Sequence, residues 1–298
     1  MKRPFLSNYI YIVIFFCLIL LWGSGKAQGC ELVIVRDENI QPVNAILDEF
    51  TDGVSCRTKY IDAQLMPSSS EFQRAIRAVD PVLIFAVGVK ATALAAGIDD
   101  VPILYVAVDA AQFAFLKGKR NLHAIRLEVS LSKQLSIIAK TLPLMRRIGV
   151  IYNPHVSGKM IAEAAGMSSA YDMTLVARKI ERPGDIMSAL DSLKGKIDAL
   201  LLVADRTVVT PEGMQLVGLF SLENKVPVIA FAQKYLREGA AVSISTTPGE
   251  VGKKAAKLAR RVIAGEEIGR EYDVDSPVVS FNHSVIHQLN IKEMERAR

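Results

Sequence analysis

Hydrophobic positions along this chain fall into short runs separated by longer amphipathic stretches, and the alternation occurs twice over. Short runs rich in Val, Ile and Leu suit parallel strands buried on both faces. The amphipathic stretches between them, with apolar positions recurring every three to four residues, suit helices that cover such a sheet. In the first half the pattern predicts strands over 31–35, 58–62, 82–87, 103–108 and 122–128, and helices over 41–51, 70–78, 89–96 and 109–116. A helix entered at Ser130 keeps a helical period through Leu131, Leu135, Ile138, Ala139 and Leu142 and is left at Pro143.

The plan then restarts at Arg146-Arg147, where a β-branched run stops at Asn153-Pro154. Proline has no N–H for a sheet ladder and biases the residue before it out of the helical region. Strands are predicted over 147–153, 173–180, 199–204, 226–232 and 241–245, with helices over 156–168, 184–194, 211–223 and 233–238. A further helix opens at Thr247-Pro248 and ends near Gly265, followed by an extended piece over 274–281 and a helix from Ser284. Pro183 and Pro211 mark first turns, with an acidic residue close behind. The fold class is α/β, in two strand-led halves. A ligand belongs between them, where the carboxyl ends of strands and the amino ends of helices face a crevice.

Composition changes this picture mainly at the amino terminus. The 298 residues are 50% hydrophobic and 22% charged, a globular balance with room for about two domains. Lys2 and Arg3 precede an uncharged apolar run over 9–22, and small residues follow over 23–27. This is the pattern of a secretory signal, and the run is shorter than the roughly 20 residues that span a bilayer. Loss of residues 1–27 would remove Lys2, Arg3 and Lys26 and no acid, taking the formal charge from +5 to +2. The remainder carries no cationic stripe of the kind that binds nucleic acid. Cys17 would leave with the signal. Cys30 and Cys56 would then form a candidate disulfide in an oxidising compartment, or Cys30 would carry a lipid, although the leucine expected three positions before it is missing.

No dinucleotide fingerprint, phosphate loop, nucleophile elbow or H-E-x-x-H motif is present, so the chain reads as a binding protein rather than an enzyme, without cofactor. The G-E-V-G-K-K stretch at 249–254 is a helix start. His283 and His287 lie four apart but lack a third ligand, so no metal site is expected.

Candidate binding residues sit at the predicted strand ends. Gly88 joins strand to helix and lets backbone approach a ligand, and Lys90 in the following turn is a candidate carboxylate partner or else a solvated lysine. Asp205, Arg206 and Thr207 close the apolar run A-L-L-L-V-A; there Asp205 either meets a ligand ammonium or hydroxyl, or caps a helix and pairs locally. Asn153 and His155, Asp109 and Gln233 occupy equivalent ends, each with an ordinary turn as its alternative. Aromatic residues including Phe85, Tyr105, Phe113, Tyr152, Phe231 and Tyr235 serve as core or as stacking surfaces.

With these positions in hand, the chain resembles the substrate-binding proteins of bacterial ABC importers, in the branch whose characterised members take aromatic amino acids. The likeness is carried by the order and spacing of stretches such as I-Q-P-V-N-A-I-L-D-E-F (40–50), V-P-I-L-Y-V-A-V-D (101–109), R-R-I-G-V-I-Y-N-P (146–154), A-L-L-L-V-A-D (199–205) and V-P-V-I-A-F (226–231). It implies a type I periplasmic binding protein: two Rossmann-like lobes with parallel sheets flanked by helices, joined by a three-crossover hinge near 127–130, 246–249 and 273–277. On that plan residues 1–27 are the signal peptide, 28–127 with 248–273 the first lobe, and 128–247 with 274–298 the second. The implied protein is a periplasmic monomer that clasps a small amino-acid-like or carboxylate ligand and docks on ABC permease subunits in the inner membrane. An extracytoplasmic sensor with the same clasp is the alternative. Gly88-Val89-Lys90-Ala91 and Asp109-Ala110-Ala111-Gln112 depart from the small-hydroxyl and Asp-Pro patterns usual at those loops.

Overall fold

The computed structural model describes residues 29–37, 41–107, 116 and 118–291. The expected signal peptide, Asp109, Phe113 and nearly all of the helix expected over 109–116 lie outside them. Among the described residues no helix is long and apolar enough to cross a membrane.

The first sheet contains β1 (Glu31–Arg36), β2 (Arg57–Asp62), β3 (Leu83–Val87), β4 (Ile103–Ala107), β5 (Leu122–Arg126) and β11 (Glu271–Tyr272). Their spatial order is β11-β5-β4-β3-β1-β2, parallel throughout. The second holds β6 (Arg147–Tyr152), β7 (Thr174–Lys179), β8 (Ala199–Leu201), β9 (Val228–Ala230), β10 (Val242–Ser245) and β12 (Val278–Phe281). Its order is β12-β10-β9-β8-β6-β7, with only β12 antiparallel to its neighbour. The helices are α1 (Gln41–Asp52), α2 (Ser69–Val79), α3 (Val89–Ala95), α4 (Leu131–Thr141), α5 (Pro154–Ser168), α6 (Ile186–Leu193), α7 (Pro211–Asn224), α8 (Pro248–Ile263) and α9 (His283–Leu289).

Period-two alternation assigns each strand residue to one of two cores. Leu32 and Ile34 pack with Phe85 and with Phe50 of α1 on one side of the first sheet, while Val33 and Val35 pack with Ile84 and with Phe72 of α2 on the other. In the second sheet Ile148, Val150 and Tyr152 join one core and Ile151 the other. Helices cover both faces, so the strands read as continuous apolar runs. The result is two α/β lobes in the type I arrangement.

The chain leaves the first sheet after β5, returns after β10 into α8, and leaves again after β11 to end on β12 and α9. The return is secured by small residues: Gly252, Ala255, Ala256 and Ala259 bring α8 against Ile46, Leu47 and Phe50 of α1. A Cβ at Gly252 would lie 2.3 Å from the Ile46 carbonyl oxygen, so this crossing needs glycine. The three passages are tied together by side chains. Ser130 donates Oγ–H to Asp273 Oδ2 (2.6 Å), Thr246 donates to the Leu127 carbonyl, and Lys133 Nζ donates to the Val274 carbonyl (2.5 Å).

Several elements differ from the pattern-based reading. The strand over 199–204 ends at Leu201; Leu202 still donates to the Ile229 carbonyl (2.8 Å), and the chain then turns, with Asp205 N–H donating to the Val203 carbonyl (2.7 Å). The strand over 226–232 narrows to β9, and the helix over 233–238 is a single 3-10 turn, Gln233–Leu236. Strand β11 was not expected, since two residues are too few to carry a period. Cys30, just before β1, and Cys56, just before β2, are joined by a disulfide with a Cα–Cα distance of 4.8 Å.

Asp198, ahead of β8, clamps the start of β6. Its carboxylate accepts the Arg146 and Arg147 backbone N–H groups (3.0 and 2.7 Å) and the Arg147 guanidinium (3.0 and 2.6 Å). Partial burial pushes this carboxyl upward, but the Arg147 hydrogen bonds and charge together with the Arg146 N–H outweigh it and hold the group below its ordinary value. A depressed folded-state value gives stability that is present above the unfolded-state value near pH 4 and is lost as the pH falls. Asp198→Asn is therefore expected to melt lower than wild type at pH 7, with the difference shrinking as the pH falls below the ordinary carboxylate range; melting curves across pH check this.

Candidate functional site

Where the carboxyl ends of both sheets meet the hinge, a cavity of about 630 Å³ opens between the lobes. The first lobe supplies Asp37 after β1, Ile46 of α1, Val106 of β4 and the Gly88-Val89 turn into α3. The second supplies Phe231, Ala232 and Gln233 after β9, and Ser245 at the end of β10. Leu127, Glu128, Thr246 and Pro248 from the hinge passages form its floor. This geometry follows from the topology, since parallel strands bring their carboxyl ends, and hence their loops, to one edge of each sheet.

The walls are largely apolar, with a few placed polar groups. The Phe231 ring packs in tilted contact with Tyr235, centroids 5.0 Å apart. Gln233 is positioned by donating to Ser280 Oγ (3.1 Å). The Ser245 hydroxyl is buried and has no hydrogen-bond partner among the described residues. Asp37 and Glu128 are the charged side chains among the described lining residues, and both are acidic.

Of the residues expected from sequence, Gly88 and Gln233 line this cavity. Lys90 does not. Its ammonium reaches the Gln64 carbonyl (3.4 Å), while its backbone N–H donates to Asp37 Oδ2 (2.9 Å).

Asp205, the residue the strand-end pattern favoured, is fully buried and away from the cavity. Its carboxylate accepts the Asn153 N–H (2.7 Å), the Ser157 hydroxyl (2.9 Å) and the Thr207 N–H (2.9 Å). Asn153 in turn caps α5 by accepting the His155 N–H (2.9 Å) and donates to Thr207 Oγ1 (3.1 Å) and to the Glu181 carbonyl (3.1 Å). Asn153, Asp205 and Thr207 thus form a staple that joins the ends of β6 and β8. His155 and Arg206 border a second cavity of about 590 Å³ beside the hinge, with Arg126, Glu271 and Asp273; it shares Glu128 with the first.

Asp37, Glu128, Phe231, Ser245 and Thr246 are the contributors that strand-end reasoning passed over or left among core aromatics. For Asp37 the signal was present, because it ends the buried V-I-V-R run as Asp205 ends its own.

A family model described as ABC transporter substrate binding protein matches residues 52–297. The chain belongs to that family. This substrate-binding protein is also 26% identical over 265 residues to the "Tyrosine-binding protein" of Clostridioides difficile (strain R20291), covering 85% of the chain and 75% of the relative. Among solved structures, the ligand-free, open form of a substrate binding protein with adhesive properties from Clostridium difficile aligns with a TM-score of 0.68 at 23% identity, covering 88% and 95% of the two chains. An ABC domain from Streptococcus pneumonia in complex with L-Trp aligns at 0.51 and 16% identity, covering 89% and 97%. These likenesses establish the shared two-lobed fold. The interlobe cavity has the general character of small-molecule sites, concave and mostly apolar with a small number of polar groups.

Proposed function

We propose that the protein is the extracytoplasmic receptor of an ABC importer, closing its two lobes over a small amino-acid-like solute and presenting the closed form to permease subunits. The observation that carries this reading is the cavity of about 630 Å³ at the hinge, lined by both lobes. Its size falls in the range of small-molecule sites, roughly 300–1,000 Å³. Three passages of chain give the lobes a hinge about which small backbone changes open and shut the cleft. Phe231 with Val89 and Val106 offers an apolar face for an aromatic or aliphatic side chain, and Gln233, Ser245 and Thr246 offer hydrogen bonds. The printed name of the Clostridioides difficile relative supports an aromatic amino acid as the first solute to try.

The test is a thermal-shift screen of amino acids and related small solutes. A cognate solute at about 100 times its dissociation constant is expected to add roughly 2.7 kcal/mol of stability, with the melting temperature climbing as ligand rises. Folded protein that melts at one temperature across the whole screen would overturn the receptor reading.

A further inference from the structure

Asp37 extends from the end of β1 into the interlobe cavity, and its carboxylate is already engaged. It accepts the backbone N–H groups of Lys90 (2.9 Å) and Ala91 (2.5 Å), the first-turn donors of α3. Such donors commonly receive a bound anion; here the chain's own carboxylate occupies them. The arrangement is built into the backbone. Asp37 N–H donates to the Val87 carbonyl (3.1 Å), which fixes the residue beside β3. Gly88 adopts φ +119°, and a Cβ at that position would lie 2.4 Å from Asp37 Cγ, so only glycine leaves room for the carboxylate.

The rest of the described wall has the same electrostatic sense. Glu128 is the other charged group among the described lining residues, no described cation lines the cavity, and the Lys90 ammonium is turned toward Gln64. A solute carboxylate brought to this wall would find the α3 donors taken and a like charge in front of it. An ammonium would find a carboxylate held in place by backbone, where a charge-assisted hydrogen bond is strong.

Resting on the receptor reading above, we propose that Asp37 is the specificity-determining group of the cleft, an internal anion seated at the start of α3 that selects solutes through an ammonium group rather than a carboxylate. Amines without a carboxylate are then ligands in their own right, and carboxylates without an amine are excluded.

Two matched sets of probes separate the contributions: tyrosine, tyramine and 4-hydroxyphenylpropionate share one ring, and leucine, 3-methylbutylamine and 4-methylpentanoate share one aliphatic tail. In the set whose apolar part fits, calorimetric titration of the wild type is expected to rank the amine above the carboxylate by at least about tenfold in affinity. In Asp37→Asn, which keeps an acceptor for α3 and removes the charge, that ratio is expected to fall by about tenfold. A wild type that binds the carboxylate as well as the amine overturns the proposal, and this comparison holds even if the variant does not fold. A ratio unchanged in folded Asp37→Asn likewise overturns it and leaves the receptor reading intact. Absence of binding by all six probes overturns the proposal, and the receptor reading falls only if the wider thermal-shift screen is also flat.

Discussion

Asp205→Ala is expected to melt roughly 10 °C below wild type while retaining ligand-induced stabilisation at temperatures where it is folded. The carboxylate is fully buried and accepts hydrogen bonds from Asn153 N–H, Ser157 Oγ–H and Thr207 N–H. Truncation removes the only group that satisfies these three donors at once, and a buried donor left without a partner costs about 1–3 kcal/mol. A combined loss of about 3–5 kcal/mol follows. In a chain of this size each kcal/mol moves the melting temperature by about 2–4 °C. Asp205→Asn is expected to recover only part of the loss, because its amide nitrogen must turn one donor toward another. Thermal melts with and without ligand decide the matter. A variant that melts with the wild type but no longer responds to ligand would make Asp205 a ligand group after all.

Breaking the Cys30–Cys56 disulfide, by reduction or by Cys30→Ser with Cys56→Ser, is expected to destabilise the protein by about 3 kcal/mol. The bond closes a loop with a sequence separation of 26 residues, and in the chain-entropy account the cross-link acts mainly by restricting the unfolded chain. The folded lobe has other means of holding the same strands, since β1 and β2 are paired in register from Glu31↔Arg57 to Arg36↔Asp62 and Arg57 N–H donates to the Cys30 carbonyl (2.9 Å). The native fold should therefore persist on reduction, and the loss should appear as a lower urea midpoint with the far-ultraviolet spectrum retained. Equal midpoints for the oxidised and reduced protein would show that the unfolded chain gains nothing from release of the cross-link.

Asp205 and Asp37 share one local device in two different surroundings. Each aspartate follows a buried apolar run and accepts backbone N–H donation from a neighbouring strand-to-helix turn. One staple lies buried inside its lobe, with its carboxylate taken up by three donors. The other lines the interlobe cavity.

Sequence by itself determined the α/β class, two strand-led halves and most helix starts, because these depend on periodicity, proline and capping within a dozen residues; it left Cys30 open between a disulfide to Cys56 and a lipid, and the structure shows the disulfide. Gly88 and Gln233 were legible as cleft residues because strand carboxyl ends converge wherever the sheet is parallel. Tertiary structure alone decided which strand-end aspartate faces the cleft. Asp205 is enclosed by Asn153 and Ser157 from about fifty residues earlier in the chain, and Asp37 is drawn to α3 by donors more than fifty residues later. The aim of the Lys90 ammonium and the docking of α8 on α1 were settled in the same way. A strand-end pattern names the residue, but partners remote in sequence supply the hydrogen bonds that bury it or hold it in the opening.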